Sequence, residues 1–289
     1  MVIIERLSNY RALLGESPVY DSRLNRLYWV DIDGHRLIYK DLESGKEGFI
    51  DLPDVITSVQ LKDETDSLIV TVRHGFYEVN LSNNSVRLIA EVEKEISENR
   101  FNDGKCDALG RYWAGTMNIP MNSPTGALYS LDIAHQVKKH LDGLTISNGL
   151  AWSLDNKYFY LIDTPPKKVY GFDLDLAKGE IYNKRVVIDF SSEVGRPDGM
   201  TIDEEGMLWI AHSRGGRISR WDPKSGKKLL EIELPVSSTT SLTFGGEDLD
   251  QIFVTTAVNL AKPGEDLAGY VYVIRGVGVR GVENNLCKV

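Results

Sequence analysis

Five-residue runs of strand character, each preceded and followed by polar turns, recur along the whole chain. One series reads Leu27-Tyr28-Trp29-Val30-Asp31, Leu68-Ile69-Val70-Thr71-Val72, Tyr112-Trp113-Ala114-Gly115-Thr116, Phe159-Tyr160-Leu161-Ile162-Asp163, Leu208-Trp209-Ile210-Ala211-His212 and Ile252-Phe253-Val254-Thr255-Thr256. Between the first residues of successive runs the steps are 41, 44, 47, 49 and 44. That period is the length of a four-stranded propeller blade. A strand ending in a polar turn precedes each run, as at Leu154-Asp155-Asn156 and Asp203-Glu204-Glu205-Gly206. A third strand of alternating apolar and polar residues follows each one, as in Arg36-Leu37-Ile38-Tyr39-Lys40 and Lys168-Val169-Tyr170-Gly171-Phe172; such alternation marks half-buried strands. Most units add a fourth, for example Val186-Val187-Ile188.

Six such units nearly exhaust the 289 residues. The pattern predicts an all-β chain forming a single domain over residues 1–289, a six-bladed β-propeller with four-stranded antiparallel blades. Residues 133–140 are the nearest approach to a helical period and are too short to matter. Residues 2–7 read as a strand without a blade of their own, predicted to supply the outer strand of the last blade and close the ring.

In a propeller the first strand of each blade lines a central channel, and the loop after the second strand returns to the same rim. Counting back ten or eleven residues from each run gives Glu16, Thr57, Asn102, Asn148, Asp198 and Ser241. All six carry an oxygen atom and all adjoin apolar strands. Polar residues at strand starts are often turn formers, and Asn148-Gly149 and Asp198-Gly199 are ordinary turn dipeptides. Six positions in one register instead place these side chains in a ring. Two of them are carboxylates, whose mutual repulsion favours a cation. Glu16, Asn148 and Asp198 offer oxygen only, the donor set of a hard divalent ion.

Composition removes several classes of partner. A formal net charge of −9 and a pI near 5.2 set a field that repels phosphate backbones and anionic membranes, so no nucleic acid and no membrane partner is expected. The 42% hydrophobic content suits a core-forming chain. No leader-like segment opens the chain and no run approaches the length of a membrane span, and the expectation is a soluble, cytoplasmic protein. Cys106 and Cys287 show no Cys-x-x-Cys spacing. Neither a disulfide framework nor a thiolate metal site is expected, while a single bridge stays open.

Leu14-Gly15-Glu16-Ser17-Pro18, Arg100-Phe101-Asn102-Asp103-Gly104-Lys105, Gly115-Thr116-Met117, Ser147-Asn148-Gly149-Leu150-Ala151, Arg196-Pro197-Asp198-Gly199 and Thr240-Ser241-Leu242-Thr243-Phe244-Gly245-Gly246 resemble the signatures of the regucalcin (senescence marker protein) and gluconolactonase family. The resemblance runs in order from about residue 13 to residue 280. It implies a six-bladed propeller with one divalent metal ion in the central channel, of which calcium, zinc, manganese and magnesium all remain open. It also implies hydrolysis of sugar lactones, a role in carbohydrate metabolism, with a small-molecule sugar lactone as the binding partner. By resemblance Glu16, Asn148 and Asp198 are the metal ligands, Asp198 is also the general base, and Arg100 and Asn102 contact substrate. One departure bears on substrate: where the animal proteins follow Gly-Thr-Met with acidic residues, this chain has Asn118-Ile119-Pro120-Met121-Asn122.

Loops 117–126 and 257–268 are the longest on the expected rim, placed as lids or as variable surface. His74 and His212 fall at second-strand ends, where a structural role is favoured over metal binding. Trp221-Asp222 occurs once, without a Gly-His partner, and carries no repeat signal. Two rivals to lactone hydrolysis stand beside it: a same-fold esterase or phosphotriesterase, and a non-catalytic calcium-binding propeller.

Overall fold

The computed structural model describes residues 1–289 as twenty-four strands and no helix, in six four-stranded sheets. The first strands of blades 1 to 6 are Gly15–Asp21, Ile56–Leu61, Asn99–Cys106, Ser147–Trp152, Arg196–Ile202 and Thr239–Gly245. The second strands are Arg26–Asp31, Ser67–Val72, Tyr112–Asn118, Tyr158–Asp163, Leu208–Ser213 and Gln251–Thr256, and each contains one run of the sequence series. Blade 6 closes as expected: Ile3–Arg6 pairs antiparallel with Tyr272–Arg275, setting Ile3 opposite Arg275 and Arg6 opposite Tyr272. Residues 137–144 form the outer strand of blade 3, so tertiary pairing with Gly126–Leu131 overrides the weak local helical signal.

The core is divided into six apolar clusters, each holding one pair of adjacent blades together. Val19 and Tyr28 meet Val59 and Val70 between blades 1 and 2; Phe76 meets Phe101 and Tyr112; Trp113 meets Leu150 and Phe159. Ile162 meets Met200 and Ile210, Trp209 meets Leu242 and Val254, and Trp29 meets Phe253 where the ring closes. The second strands are therefore buried on both faces, which is why their sequence runs lack polar alternation.

Buried aspartates brace the turns before the second strands. Asp107 accepts from Trp113 Nε1 at 2.8 Å and Arg111 Nε at 2.7 Å, and Asp203 repeats the arrangement with Trp209 at 2.9 Å and Arg220 at 2.7 Å.

The segment after Arg275 crosses the far end of the channel. Asn284 Nδ2 donates to Tyr20 O, Cys287 N to Leu61 O, Asn285 Nδ2 to Cys106 O and Gly281 N to Leu249 O, while Arg280 O accepts from Glu204 N. Five of the six blades are thus bonded to one strap. The single bridge left open by the sequence forms: Cys106 and Cys287 are paired, their Cα atoms 5.5 Å apart across 181 residues. The channel cavity that holds the polar ring is lined by residues of the rim at the start of the first strands.

Candidate active site

Every first strand carries a β-bulge in its first half. The ladder slips between Glu16 and Val19, Ile56 and Ser58, Phe101 and Gly104, Asn148 and Leu150, Pro197 and Met200, and Thr239 and Ser241. A bulge bends its strand and re-aims the side chains beside it. Here the bulges adjoin the polar ring positions on all six blades.

Asn148 and Asp198 are followed by glycines that lie within strands, and neither glycine adopts a left-handed conformation. Turn chemistry therefore does not explain them. A Cβ on Gly149 would sit 2.8 Å from the carbonyl oxygen of Asp198, and one on Gly199 would run into the side chain of Ser241. Glycine is required because adjacent channel strands approach closely here.

Four of the six ring residues, Glu16, Asn102, Asn148 and Asp198, line one cavity of about 640 Å³ together with Arg100. Thr57 and Ser241 do not. The bulge makes Thr57 the extra residue, so Ser58 rather than Thr57 sits opposite Thr71, and the Thr57 hydroxyl is spent on Thr71 Oγ1 at 2.7 Å. Ser241 is packed against Gly199. The ring is therefore lopsided, polar on blades 1, 3, 4 and 5.

Glu16 and Asp198 are 8% and 6% exposed. Burial pushes Asp198 up to about 7, the charge of Asp103 adds to the rise, and hydrogen bonding with Ser213, Asn148 and Glu16 opposes it. Glu16 is held well above the usual carboxylate range by burial first and then by Asp198 and Asp103; the positive charge of Arg100 offsets little of this. Two buried carboxylates without an adequate counter-charge are costly.

Asn148 completes the donor set, and its orientation is fixed. Thr164 Oγ1 donates its one proton to Pro197 O at 2.8 Å, so it can only accept from Asn148 Nδ2 at 2.9 Å. The Asn148 Oδ1 atom is left facing the ring, where Asn102 Nδ2 donates to it at 3.3 Å. Two carboxylates and one amide oxygen fit a hard divalent cation, a group whose charge would offset their repulsion. Histidine and cysteine take no part, and nowhere do three or more His, Cys, Asp and Glu side chains gather as a metal-binding group.

Arg100 Nη1 donates to Phe101 O and to Asn102 Oδ1, both at 2.8 Å, and burial lowers its pKa to about 10. Asn102 Nδ2 spends both protons within the protein, on Ser147 O at 2.8 Å and on Asn148. In this geometry Asn102 orients its neighbours, while Arg100 keeps Nε and Nη2 for a ligand.

Both long loops reach the cavity: Met117, Ile119 and Met121 come from the first and Leu260 from the second. Asn259 Nδ2 ties the second loop to Asp33 at 2.6 Å. His212 is fully buried. It contacts Val194 O through Nδ1 and Ser219 Oγ through Nε2, and neither it nor His74 lines the cavity.

Residues that sequence reasoning did not single out are Thr164, Ser213, Asp33, Lys167, Arg196 and Arg214, all on the cavity wall. A signal existed for some of them. The position five residues after the start of each run gives Ile32, Arg73, Met117, Thr164, Ser213 and Ala257, and four of these line the cavity.

Residues 14–258 match the family model described as SMP-30/Gluconolactonase/LRE-like region. The chain is 41% identical to regucalcin of Gallus gallus over 292 residues, 97% of each protein. Among solved structures it is similar to a luciferin-regenerating enzyme, with a TM-score of 0.94, 31% identity and full coverage of both chains. It is also similar to a calcium-binding protein, regucalcin, from Agrobacterium tumefaciens, with a TM-score of 0.91 and 26% identity over 98% of this chain and 97% of that one.

Proposed function

The chain belongs to the SMP-30/gluconolactonase/LRE-like family, and from that premise we propose that it is a divalent-metal-dependent lactonase that opens sugar lactones. The observation that carries this reading is the convergence of Glu16, Asn148 and Asp198, from three different blades, on one cavity. A divalent cation held by these three side chains would supply Lewis-acid polarisation of the ester carbonyl.

The chain's own residues supply the rest. Asp198 accepts a proton from the attacking water as the new C–O bond forms at the carbonyl carbon, and the proton passes to the ring oxygen as the old C–O bond breaks. With the cation bound, the Asp198 carboxylate would have its pKa lowered and stay ionised, ready to take that proton. Arg100 donates its remaining N–H groups to the substrate, and Asn102 and Thr164 hold Asn148 in register. The walls formed by Leu14, Ile32, Met117 and Ile146 exclude bulk water and strengthen these electrostatic interactions. No nucleophilic side chain is required, so no covalent intermediate forms. The test is turnover of aldonolactones by the wild type and Asp198→Asn, with metal stripped and restored. Tight metal binding without turnover would instead support a calcium-binding role.

A further inference from the structure

Of the sixteen arginines, fourteen are engaged in ion pairs, side-chain hydrogen bonds or aromatic stacking. The other two, Arg196 and Arg214, both line the mouth of the cavity. Lys167 joins them there, and its ammonium donates only to a main-chain oxygen, Glu193 O, at 3.1 Å. In a chain of net charge −9, these three cations line one cavity and none of them is ion-paired.

Their placement is one-sided. Lys167 and Arg214 occupy turns after the second strands of blades 4 and 5, and Arg196 opens the first strand of blade 5, two residues and about 7 Å of extended chain before Asp198. Across the mouth the wall is apolar, with Leu14, Ile32, Met117, Ile119, Met121 and Leu260. The rim carboxylate on that side, Asp33, is occupied by Asn259. Lys167 and Arg214 also hold left-handed backbone conformations, φ 55° and 58°, which glycine adopts without strain. Neutral donors are few, since Asn102 and Thr164 have committed all their side-chain protons and Asn148 one of its two. The mouth recognises charge better than it recognises a polyol.

We propose that Arg196, Arg214 and Lys167 form a subsite for an anionic substituent, a phosphate monoester or a carboxylate, carried by the lactone on the end remote from its carbonyl. Arg196 stands two residues before Asp198 on one strand, and all three cations line the cavity that Asp198 lines. The proposal rests on the lactonase reading for its substrate but not for its binding. It is tested with open-chain acids, which cannot be hydrolysed. Calorimetry on the metal-loaded protein compares gluconate, 6-phosphogluconate and glucarate, in the wild type, in the Arg196→Met/Arg214→Met double variant and in Arg214→Gly. The last variant relieves the left-handed strain and so guards against misfolding.

The expected result is roughly tenfold or greater tightening by the second anion, lost in the double variant and weakened in Arg214→Gly. A gain with 6-phosphogluconate assigns phosphate, and a gain with glucarate assigns carboxylate. Equal affinity for all three acids overturns the proposal. So does a preference that survives the double substitution, because it would then belong to the metal and the channel floor. A wild type that turns over neutral lactones but shows no anion preference keeps the lactonase and sinks the subsite. Anion preference with no turnover of any lactone supports the subsite and sinks the lactonase.

Discussion

Thr164 accepts a hydrogen bond from Asn148 at 2.9 Å because its own proton is committed to blade 5, at Pro197 O. The amide of a candidate metal ligand is thereby locked with its oxygen toward the ring. Thr164→Val keeps the shape and removes both bonds, leaving the amide free to turn its nitrogen inward. The expected outcome is a 10- to 100-fold loss of divalent-metal affinity by calorimetry, the usual effect of losing an orienting partner. Thr164→Ser should restore it; a serine variant as weak as the valine would point to packing instead.

Glu16→Gln removes one of two buried, mutually repelling carboxylates. In chelator the variant is expected to unfold later than the wild type, by about 1 kcal/mol or more. With saturating metal the order should reverse, because ligand binding stabilises only the protein that binds it. Paired thermal melts with and without chelator measure both signs. A variant less stable than the wild type in chelator contradicts the uncompensated charge.

His212 should make the fold sensitive to acid. Ser219 accepts from Trp221 Nε1 at 2.6 Å, so its hydroxyl proton is free to go to His212 Nε2, leaving Nδ1–H to donate to Val194 O. The neutral ring satisfies all three groups, and burial lowers its pKa to about 4. The folded value lies below the unfolded one of about 6.5. The stability this confers is therefore present above pH ~6.5 and is lost as pH falls toward 4, about 3 kcal/mol in all. Urea midpoints across that window should fall less steeply in His212→Gln than in the wild type.

Cutting the Cys106–Cys287 bridge releases a loop of 181 residues and unpins the strap across the far end of the channel. Chain entropy sets the loss at about 3–5 kcal/mol. Cys287→Ala should lower the unfolding midpoint by several degrees, and reductant should reproduce the shift in the wild type but not in the variant.

The second strands were legible because both their faces are buried, so Leu27–Asp31 and its five counterparts stand out as unbroken runs. The polar ring was legible in part, because a repeated fold repeats its register, and Glu16, Asn102, Asn148 and Asp198 share one cavity. Thr57 was not, since a bulge adds one residue and local counting cannot see which residue the ladder skips. Arg214 was invisible, and Arg196 stood in the Arg196-Pro197-Asp198-Gly199 motif without a role, for another reason: an arginine becomes informative only when its neighbours fail to neutralise it, and that is a property of the folded surface. The pairing of Cys106 with Cys287 likewise depends on where the strap crosses, which no spacing encodes.

The most direct test of the central claim is a proton-release assay over a panel of aldonolactones, run on the wild type, on chelated and metal-restored wild type, and on Asp198→Asn. The expected outcome is turnover that vanishes on chelation, returns with a divalent ion, and falls 10²- to 10⁴-fold in a folded Asp198→Asn. Undiminished lactone turnover in Asp198→Asn, or in the chelated protein, would contradict it.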